Sequence, residues 1–330
     1  MGKKQGLGIK ILAVVLGISL LLIPLTGCGA QAPPKTLIFA DMLYDSIEVH
    51  NSIAAFILEH GYGYQSQSVP GTPIPVFEGL ACGDIDISME CWTETHREAY
   101  KKHIASGKIV DLGGNFLDSW QGWLVPTSMI ENGDLPEGVS VDDMAQYWEL
   151  FKDPEDSTKG RFVNSMPGWG SYEINSKKLK AYGLDKYYSD FPSGSAAALS
   201  GSMATACEKG EPWFGYYWEP TWIMGKLDMT KIEEPPFDKE IWETTKGCAY
   251  TSEKVTIVVN ASLPDRAPEV VEFLRKYETT CAQNNKMLAF MQENEASTSE
   301  AAIWFLKEYE SLWTEWVPAE VASKVKAALP

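Results

Sequence analysis

The chain has 330 residues and a formal net charge of −17, and apolar residues make up 45% of it. That apolar content supports a sizeable core and argues against global disorder. The acidic balance argues against nucleic-acid binding, which depends on basic surfaces. A chain of this length has room for two lobes.

The N-terminus has the pattern of an export signal. Lysines precede an apolar run over residues 11–25, which ends in the letters LTGC with the cysteine at position 28. The run is shorter than the roughly 20 apolar residues of a membrane-spanning helix, and its flanks are typical of a signal peptide. LTGC resembles the bacterial lipobox, in which the cysteine is lipidated. We expect residues 1–27 to be removed and Cys28 to anchor the protein outside the cytoplasm; an uncleaved anchor helix is the alternative.

Residues 28–35 form a short linker, and strands and helices then alternate. Strands are expected over 36–42, 64–69 and 86–91, and helices over a segment ending at Gly61, over 76–81 and over 95–103. Thr93 or Thr95 is the candidate N-cap of the third helix. This alternation implies a parallel sheet with right-handed crossovers.

The second half of the chain begins with a strand over 119–126. Further strands are expected over 161–165 and 254–260, and helices over 172–182, 193–209, 268–277, 281–292 and 299–316. The strands at 119–126 and 254–260 mark where the chain leaves and re-enters its first part. We therefore predict two α/β lobes, with lobe I over 36–118 and 254–330, lobe II over 119–253, and a hinge at the two crossovers. Such lobes close around a ligand in the cleft.

One stretch, Glu211–Trp222 (EPWFGYYWEPTW), has six aromatic residues in twelve positions. Alternation in a strand sends these rings to both faces. The strand is then either buried on both sides or presents rings to a ligand at its C-terminal end. Pro220 ends the ladder because it has no N–H to donate, so Trp218 is expected where strand becomes loop. Ligands bind at that end of strands in open α/β sheets.

Three tryptophans follow probable strands in the same way: Trp92, Trp169 and Trp218. If they converge on the cleft they form an aromatic cage, which suits a quaternary ammonium group. Each cation–π contact is worth up to ~2 kcal/mol, so three give about 6, whereas a micromolar ligand needs roughly 8 kcal/mol. A second anchor is therefore required.

The turn Gly168-Trp169-Gly170-Ser171 offers that anchor. It directly precedes a predicted helix, whose first N–H groups are unsatisfied and favour a carboxylate. His96, expected one turn into the helix after Trp92, donates to the same carboxylate in this interpretation. A cation at one end and a carboxylate at the other describe a betaine.

The three motifs Trp-Thr-x-x-His, Pro-Gly-Trp-Gly and Tyr-x-Trp-x-Pro-x-Trp occur in this order. The ordered set resembles the glycine betaine/proline betaine-binding proteins of ABC transporters, over essentially the whole mature chain. The resemblance implies a two-lobed, type II periplasmic-binding-protein-like fold, no catalysis, no cofactor, and delivery of the ligand to a membrane permease by a monomer. It also implies a cage and a carboxylate site formed by Trp92, Trp169, Trp218, His96, Gly170 and Ser171.

The sequence departs from the family pattern beside each motif. Glu94 stands where members often have proline, Glu219 where they often have threonine, and Ser165 and Ser171 lie near positions where some have a cysteine pair. The two glutamates are either solvated rim residues or favour a different cation. Choline and carnitine are therefore alternative ligands.

Other candidates are weaker. Tyr44, in the first strand-to-helix loop, joins Glu219 as a second-tier candidate for ligand binding. His50, His60 and His103 are expected on the surface, and their scatter indicates no metal site. The remaining cysteines, whose function is either packing or one or two disulfides, are Cys82, Cys91, Cys207, Cys248 and Cys281.

A different class of protein is a surface carbohydrate-active enzyme. It would stack sugars on tryptophans and use Glu90 and Glu94 as a hydrolytic pair. The motifs are short of the Asn, Asp and Arg side chains that sugar sites need, which makes this the distant alternative.

Overall fold

Ten strands form within the residues that the computed structural model describes, which are 35–224, 226–251 and 253–330. In chain order they are β1 (Thr36–Asp41), β2 (Gln65–Pro70), β3 (Ile87–Trp92), β4 (Ile109–Phe116), β5 (Trp120–Pro126), β6 (Gly160–Asn164), β7 (Tyr188–Pro192), β8 (Gly215–Glu219), β9 (Met229–Lys231) and β10 (Val255–Asn260). Hydrogen bonds divide them into two sheets of five strands each.

Helices fill the connections between strands and the C-terminal region. They are α1 (Asp45–Ile57), α2 (Pro73–Cys82), α3 (Arg97–Ala105), α4 (Ser128–Glu131), α5 (Gly170–Ala181), α6 (Ala196–Lys209), α7 (Lys239–Thr244), α8 (Leu263–Arg266), α9 (Pro268–Lys276), α10 (Cys281–Glu293), α11 (Thr298–Glu308), α12 (Glu310–Trp313) and α13 (Ala319–Ala328). A π-helical turn, Leu58–Tyr62, follows α1. No helix in the described ranges is both long and apolar enough to cross a membrane.

Both sheets are mixed, and they share one topology: β6, β7, β8, β5 and β9 of the second sheet take the places of β1, β2, β3, β10 and β4 of the first. The first sheet is β2-β1-β3-β10-β4 and the second is β7-β6-β8-β5-β9. In the first, β1 is parallel to β2 and β3, whereas β10 is antiparallel to both of its neighbours. In the second, β6 is parallel to β7 and β8, whereas β5 is antiparallel to both of its neighbours. The parallel arrangement predicted from the strand–helix alternation is confirmed for β1, β2 and β3. The sheet as a whole is mixed, because β10, which arrives from the other sheet, runs against its neighbours.

The chain passes between the sheets twice, as predicted. The first passage is residues 117–119, between β4 and β5, and the second is residues 232–254, between β9 and β10. The strands predicted as crossovers, 119–126 and 254–260, correspond to β5 and β10, and each lies within a single sheet. The chain therefore passes between the sheets in the segments just before these two strands. β4, which the sequence pattern did not indicate, forms the edge of the first sheet next to β10.

The central strands are buried because both of their faces are covered. All six residues of β3 and all six of β10 are buried, as are the first four residues of β8. This is the burial expected of a strand with helices on both sides of its sheet. The aromatic stretch is thus buried on both faces, and Trp218 lies next to the end of its strand.

Two predictions about individual side chains need correction. His50 and His103 are buried rather than exposed, while His60 lies on the surface as predicted. His50 Nδ1 lies 2.7 Å from the hydroxyl of Tyr277, and burial lowers the pKa of His50 to about 3. The five cysteines of the described ranges are all free, so none forms a disulfide there. Residues 1–27 and Cys28 lie outside the described residues.

Candidate functional site

A cavity lies where strand ends and loops of the first sheet meet those of the second. From the first sheet's side it is lined by Tyr44, Pro73, Trp92, Thr95 and His96. From the second sheet's side it is lined by Gln121, Trp169, Gly170, Ser171, Tyr216 and Trp218. All six residues of the predicted ligand site, together with Tyr44, therefore surround one cavity. Glu219 is not part of this lining.

Three of the rings form adjoining sides of a box. The ring centroids of Trp169 and Trp218 are 5.3 Å apart with an interplanar angle of 86°. Tyr44 stands 5.6 Å from Trp169 at 87° and 6.5 Å from Trp218 at 76°. Trp92 lines the same cavity. Rings set nearly at right angles enclose a small volume from several directions, which is the arrangement that holds an alkylated cation.

Strand ends and one tight turn fix these rings. Trp92 is the last residue of β3, and Trp218 stacks on Tyr216 of the same strand with centroids 6.1 Å apart. Trp169 follows Gly168, whose φ of +93° is a conformation that favours glycine. A Cβ at Gly168 would also lie 2.9 Å from Thr72 Cγ2. The turn that presents Trp169 thus depends on both the flexibility and the small size of this glycine.

Another part of the lining is polar. Helix α5 begins at Gly170 with Trp169 as its N-cap residue, and no side chain caps this end. Its first N–H groups therefore remain available to an anion. A Cβ at Gly170 would lie 2.7 Å from the backbone oxygen of Thr95 and 2.8 Å from the His96 ring. The start of α5 consequently packs directly against the loop that follows β3.

His96 occupies a different helical position from the one predicted. It is the N-cap residue of α3, and neither Thr93 nor Thr95 caps the helix. Burial lowers the pKa of His96 to about 4. The imidazole is therefore neutral near pH 7 and offers a single N–H to a ligand.

The two serines near the family's cysteine positions lie side by side. The hydroxyl of Ser165 is 2.8 Å from the hydroxyl of Ser171, and both side chains are buried. A hydrogen bond thus joins the end of the β6 segment to the first turn of α5. Ser171 is in this way held against the cavity without a covalent link.

The glutamates beside the motifs lie outside the cavity. Glu94 is half-buried, with its Oε2 3.5 Å from Arg97 Nε, and Glu219 is half-buried at the end of β8. In the described part of the chain, the lining of the cavity includes no Asp, Glu, Lys or Arg side chain. Nor does any group of three or more His, Cys, Asp or Glu side chains in those ranges have a metal-binding arrangement.

Sequence reasoning missed several polar lining residues. Gln121 lies opposite Trp218 in the β5–β8 ladder, and the Tyr216 hydroxyl donates to Gln121 Oε1 at 2.8 Å. Tyr216 was detectable, because it alternates with Trp218 and so shares its face of the strand. Gln121 and Thr95 had no comparable signal, since their place depends on how the two sheets meet.

Comparisons with known proteins agree with this geometry. Residues 35–308 match the family model described as the substrate-binding domain of ABC-type glycine betaine transport systems (OpuAC). The trimethylamine N-oxide-binding protein of Pelagibacter ubique (strain HTCC1062) is 23% identical over 245 residues, which cover 72% of this chain and 77% of that protein.

Solved structures show the same fold. An ABC-transporter choline-binding protein in complex with choline matches with a TM-score of 0.73 at 18% identity, over 89% of this chain and 98% of that one. Lactococcal OpuAC in its closed form with glycine betaine matches with a TM-score of 0.70 at 19% identity, over 86% and 100%. The two-lobed type II binding-protein fold and the family resemblance predicted from the motifs are confirmed. The chain belongs to the family of substrate-binding domains of ABC-type glycine betaine transport systems.

Proposed function

We propose that this protein is an extracytoplasmic solute-binding protein that takes up a quaternary-ammonium compound in the cavity and delivers it to an ABC permease. The observation that supports the ligand class is the box of Tyr44, Trp169 and Trp218 with Trp92 in the same cavity. A fully alkylated nitrogen has no N–H to donate, so ring faces are the groups that attract it.

The energetic argument favours two anchors. Four rings at up to ~2 kcal/mol each give at most about 8 kcal/mol, which is roughly the binding free energy of a micromolar ligand. Because not all four contacts reach the maximum of ~2 kcal/mol, the rings alone fall short of it. The N-terminus of α5 adds typically 0.3–1 kcal/mol for an anion, up to ~2 in a buried geometry. Glycine betaine and proline betaine have both charged groups, and we propose them as ligands, with His96, Gly170 and Ser171 binding the carboxylate.

Other alkylated-nitrogen ligands are the second candidate. One relative is named for trimethylamine N-oxide and one structural neighbour binds choline. Choline and carnitine fit the same cage with different partners on the polar side. A neutral His96 and an uncapped helix N-terminus favour a ligand with an anionic oxygen over choline.

Titration calorimetry on the purified protein tests the ligand class. Glycine betaine, proline betaine, choline, carnitine and trimethylamine N-oxide are titrated separately, with tryptophan fluorescence as a second readout. We expect micromolar binding of at least one betaine together with a change in fluorescence. No heat and no fluorescence change at millimolar concentrations of all five would refute the proposal.

Closure of two lobes completes the proposal. We propose lobe I over 36–118 and 254–330 and lobe II over 119–253, a division supported by the separation of the strands into two sheets that the chain connects by two passages. Cavity residues come from both sides, so closing the cleft would assemble the cage. We propose a monomer in this role.

We further propose that residues 1–27 are a signal peptide and that Cys28 holds the lipid that attaches the protein to the membrane. The support is the basic, apolar and LTGC pattern of the sequence. Intact mass of the membrane-extracted protein tests it, because cleavage before Cys28 removes the mass of the first 27 residues and lipidation of Cys28 adds acyl mass.

We propose no catalytic step. The glutamates considered as a hydrolytic pair differ in environment: Glu90 is fully buried, whereas Glu94 is half-buried beside Arg97. Neither lines the cavity. A sugar hydrolase therefore has no support from the arrangement of these carboxylates.

A further inference from the structure

A buried carboxylate stands behind the polar side of the cavity. Glu253 lies in the second passage between the sheets, just before β10, and is 2% exposed. Its Oε1 accepts hydrogen bonds from the backbone N–H groups of Glu94 and Thr95, both at 2.7 Å. Its Oε2 accepts from the Thr95 hydroxyl at 2.7 Å and from Gln121 Nε2 at 2.6 Å. All four partners donate.

These bonds join parts of the molecule that belong to different sheets. Thr95 lies in the loop after β3 of the first sheet, whereas Gln121 lies on β5 of the second. The Ser119 hydroxyl, in the first passage, donates to the backbone oxygen of Glu253 at 2.7 Å. Through Gln121 the network reaches the hydroxyl of Tyr216. One residue therefore connects both passages with the loop after β3 and with β5.

The network ends on the ligand cavity although Glu253 does not line it. Thr95, Gln121 and Tyr216 are lining residues, and His96 directly follows Thr95. Hydrogen bonds to an ionised acceptor are stronger than those between neutral groups. Burial raises the pKa of Glu253 to about 7, and the N–H and O–H donors of Thr95 and Glu94 oppose that rise.

We propose that Glu253 is a positioning residue: its carboxylate fixes the loop containing Thr95 and His96 against Gln121 and so shapes the anion-binding side of the cavity. The inference rests on the proposed function, in which that side receives the ligand's carboxylate. None of these hydrogen bonds is made by a cage ring; the nearest link is Tyr216, which stacks on Trp218. Glu253 should therefore matter for a betaine more than for choline.

The variant Glu253→Gln tests this selectivity. Its side-chain oxygen still accepts from the two backbone N–H groups, but its NH2 group then faces the NH2 group of Gln121, donor against donor. Flipping the Gln121 amide leaves the Tyr216 hydroxyl proton without its acceptor. An unpaired buried polar group of this kind should weaken glycine betaine binding on the order of tenfold. Choline binding should change less than threefold.

Calorimetry with glycine betaine and choline compares the wild type, Glu253→Gln and a surface control, Glu211→Gln, whose side chain is exposed. The inference is supported if glycine betaine binding weakens selectively in Glu253→Gln and does not change in Glu211→Gln. Equal weakening of both ligands indicates a merely structural residue and overturns it, as does unchanged binding of both.

A second measurement needs no ligand. Hydrogen exchange at the amides of Glu94 and Thr95 should be at least tenfold faster in Glu253→Ala than in the wild type, because their acceptor is removed. Unchanged exchange overturns the inference. If the wild type binds neither ligand, the proposed function fails, while this exchange experiment still decides whether Glu253 fixes the loop containing Thr95. If Glu253→Ala does not fold, the binding data on Glu253→Gln decide.

Discussion

Adding one methyl group at Gly170 should weaken binding without weakening the fold. The Cβ of an alanine would lie 2.7 Å from the Thr95 backbone oxygen and 2.8 Å from Cε1 and Nδ1 of His96. The Thr95 oxygen belongs to the backbone, so it cannot move away from the new methyl group as the end of a flexible side chain can. The contact joins the start of α5 to the loop after β3, so the methyl group acts on the closed cavity.

The expected magnitude follows from the cost of overpacking. Forcing an extra methyl group into a close-packed contact costs about 1–3 kcal/mol. If that cost falls on the closed form alone, the dissociation constant rises roughly five- to 150-fold. In the open form that we propose, the start of α5 and the loop after β3 are apart, so the clash should be absent there; alanine is also a better helix former than glycine. The melting temperature of the ligand-free protein should therefore stay within a few degrees of the wild type.

Calorimetry with the ligand identified for the wild type measures this effect, and thermal unfolding measures stability. Gly201→Ala is the matched control, because Gly201 is a glycine in helix α6 whose Cβ would meet no heavy atom within 4 Å. We expect wild-type binding from the control. Wild-type affinity in Gly170→Ala would refute the conclusion that this close approach forms the site.

Three further predictions concern the cage, the core and the N-terminus. Trp169→Ala should weaken betaine and choline alike by up to about 30-fold, the value of one cation–π contact, in a fluorescence titration. Trp304→Ala should not, because this ring lies outside the cavity, where it packs on Phe290 and Tyr309. Burial raises the pKa of Glu90 to about 8, so the folded state retains a proton that the unfolded chain releases above about pH 4.3. The free energy of unfolding should therefore fall as pH rises towards 8, by at most about 1.4 kcal/mol per pH unit. Urea unfolding at pH 6 and pH 8 measures this fall, which should be smaller in Glu90→Gln. An equally large fall in the variant would contradict the assignment. Cys28→Ser should move the protein from the membrane fraction to the soluble fraction on cell fractionation, and continued membrane retention would contradict lipidation at this cysteine.

The elements next to the cage were predictable because strong local signals mark them. Trp92 and Trp218 end buried strands, and a proline follows the second of these strands closely. A glycine-bounded turn directly before a helix marked Trp169. Strand-end position and turn chemistry are local properties, so the sequence indicates them without knowledge of distant contacts.

The direction of β5 and β10, the strands that follow the two passages, was not predictable from the same patterns. A buried apolar run such as β10 has the same composition whether it runs parallel or antiparallel to its neighbours. β4 contains Gly113 and Gly114, and its pairing with β10 shifts register near them. Glycines weaken the strand signal, which explains why this edge strand was missed.

Buried polar residues were hidden for a related reason. His50 lies 3.7 Å from Glu90 and contacts Tyr277, which is 227 positions away in the chain. Glu253 likewise meets Thr95 and Gln121 across distances of more than 100 residues. A polar side chain with such partners has no local pattern, so a surface position was the default expectation for the histidines.

A crystal structure of the protein with the ligand that binds most tightly tests the central claim most directly. The claim predicts the alkylated nitrogen within about 6 Å of the ring centroids of Tyr44, Trp92, Trp169 and Trp218. Any carboxylate of that ligand should point towards His96 and the start of α5. A ligand bound outside this cavity, or with its nitrogen turned towards the polar side, would contradict it.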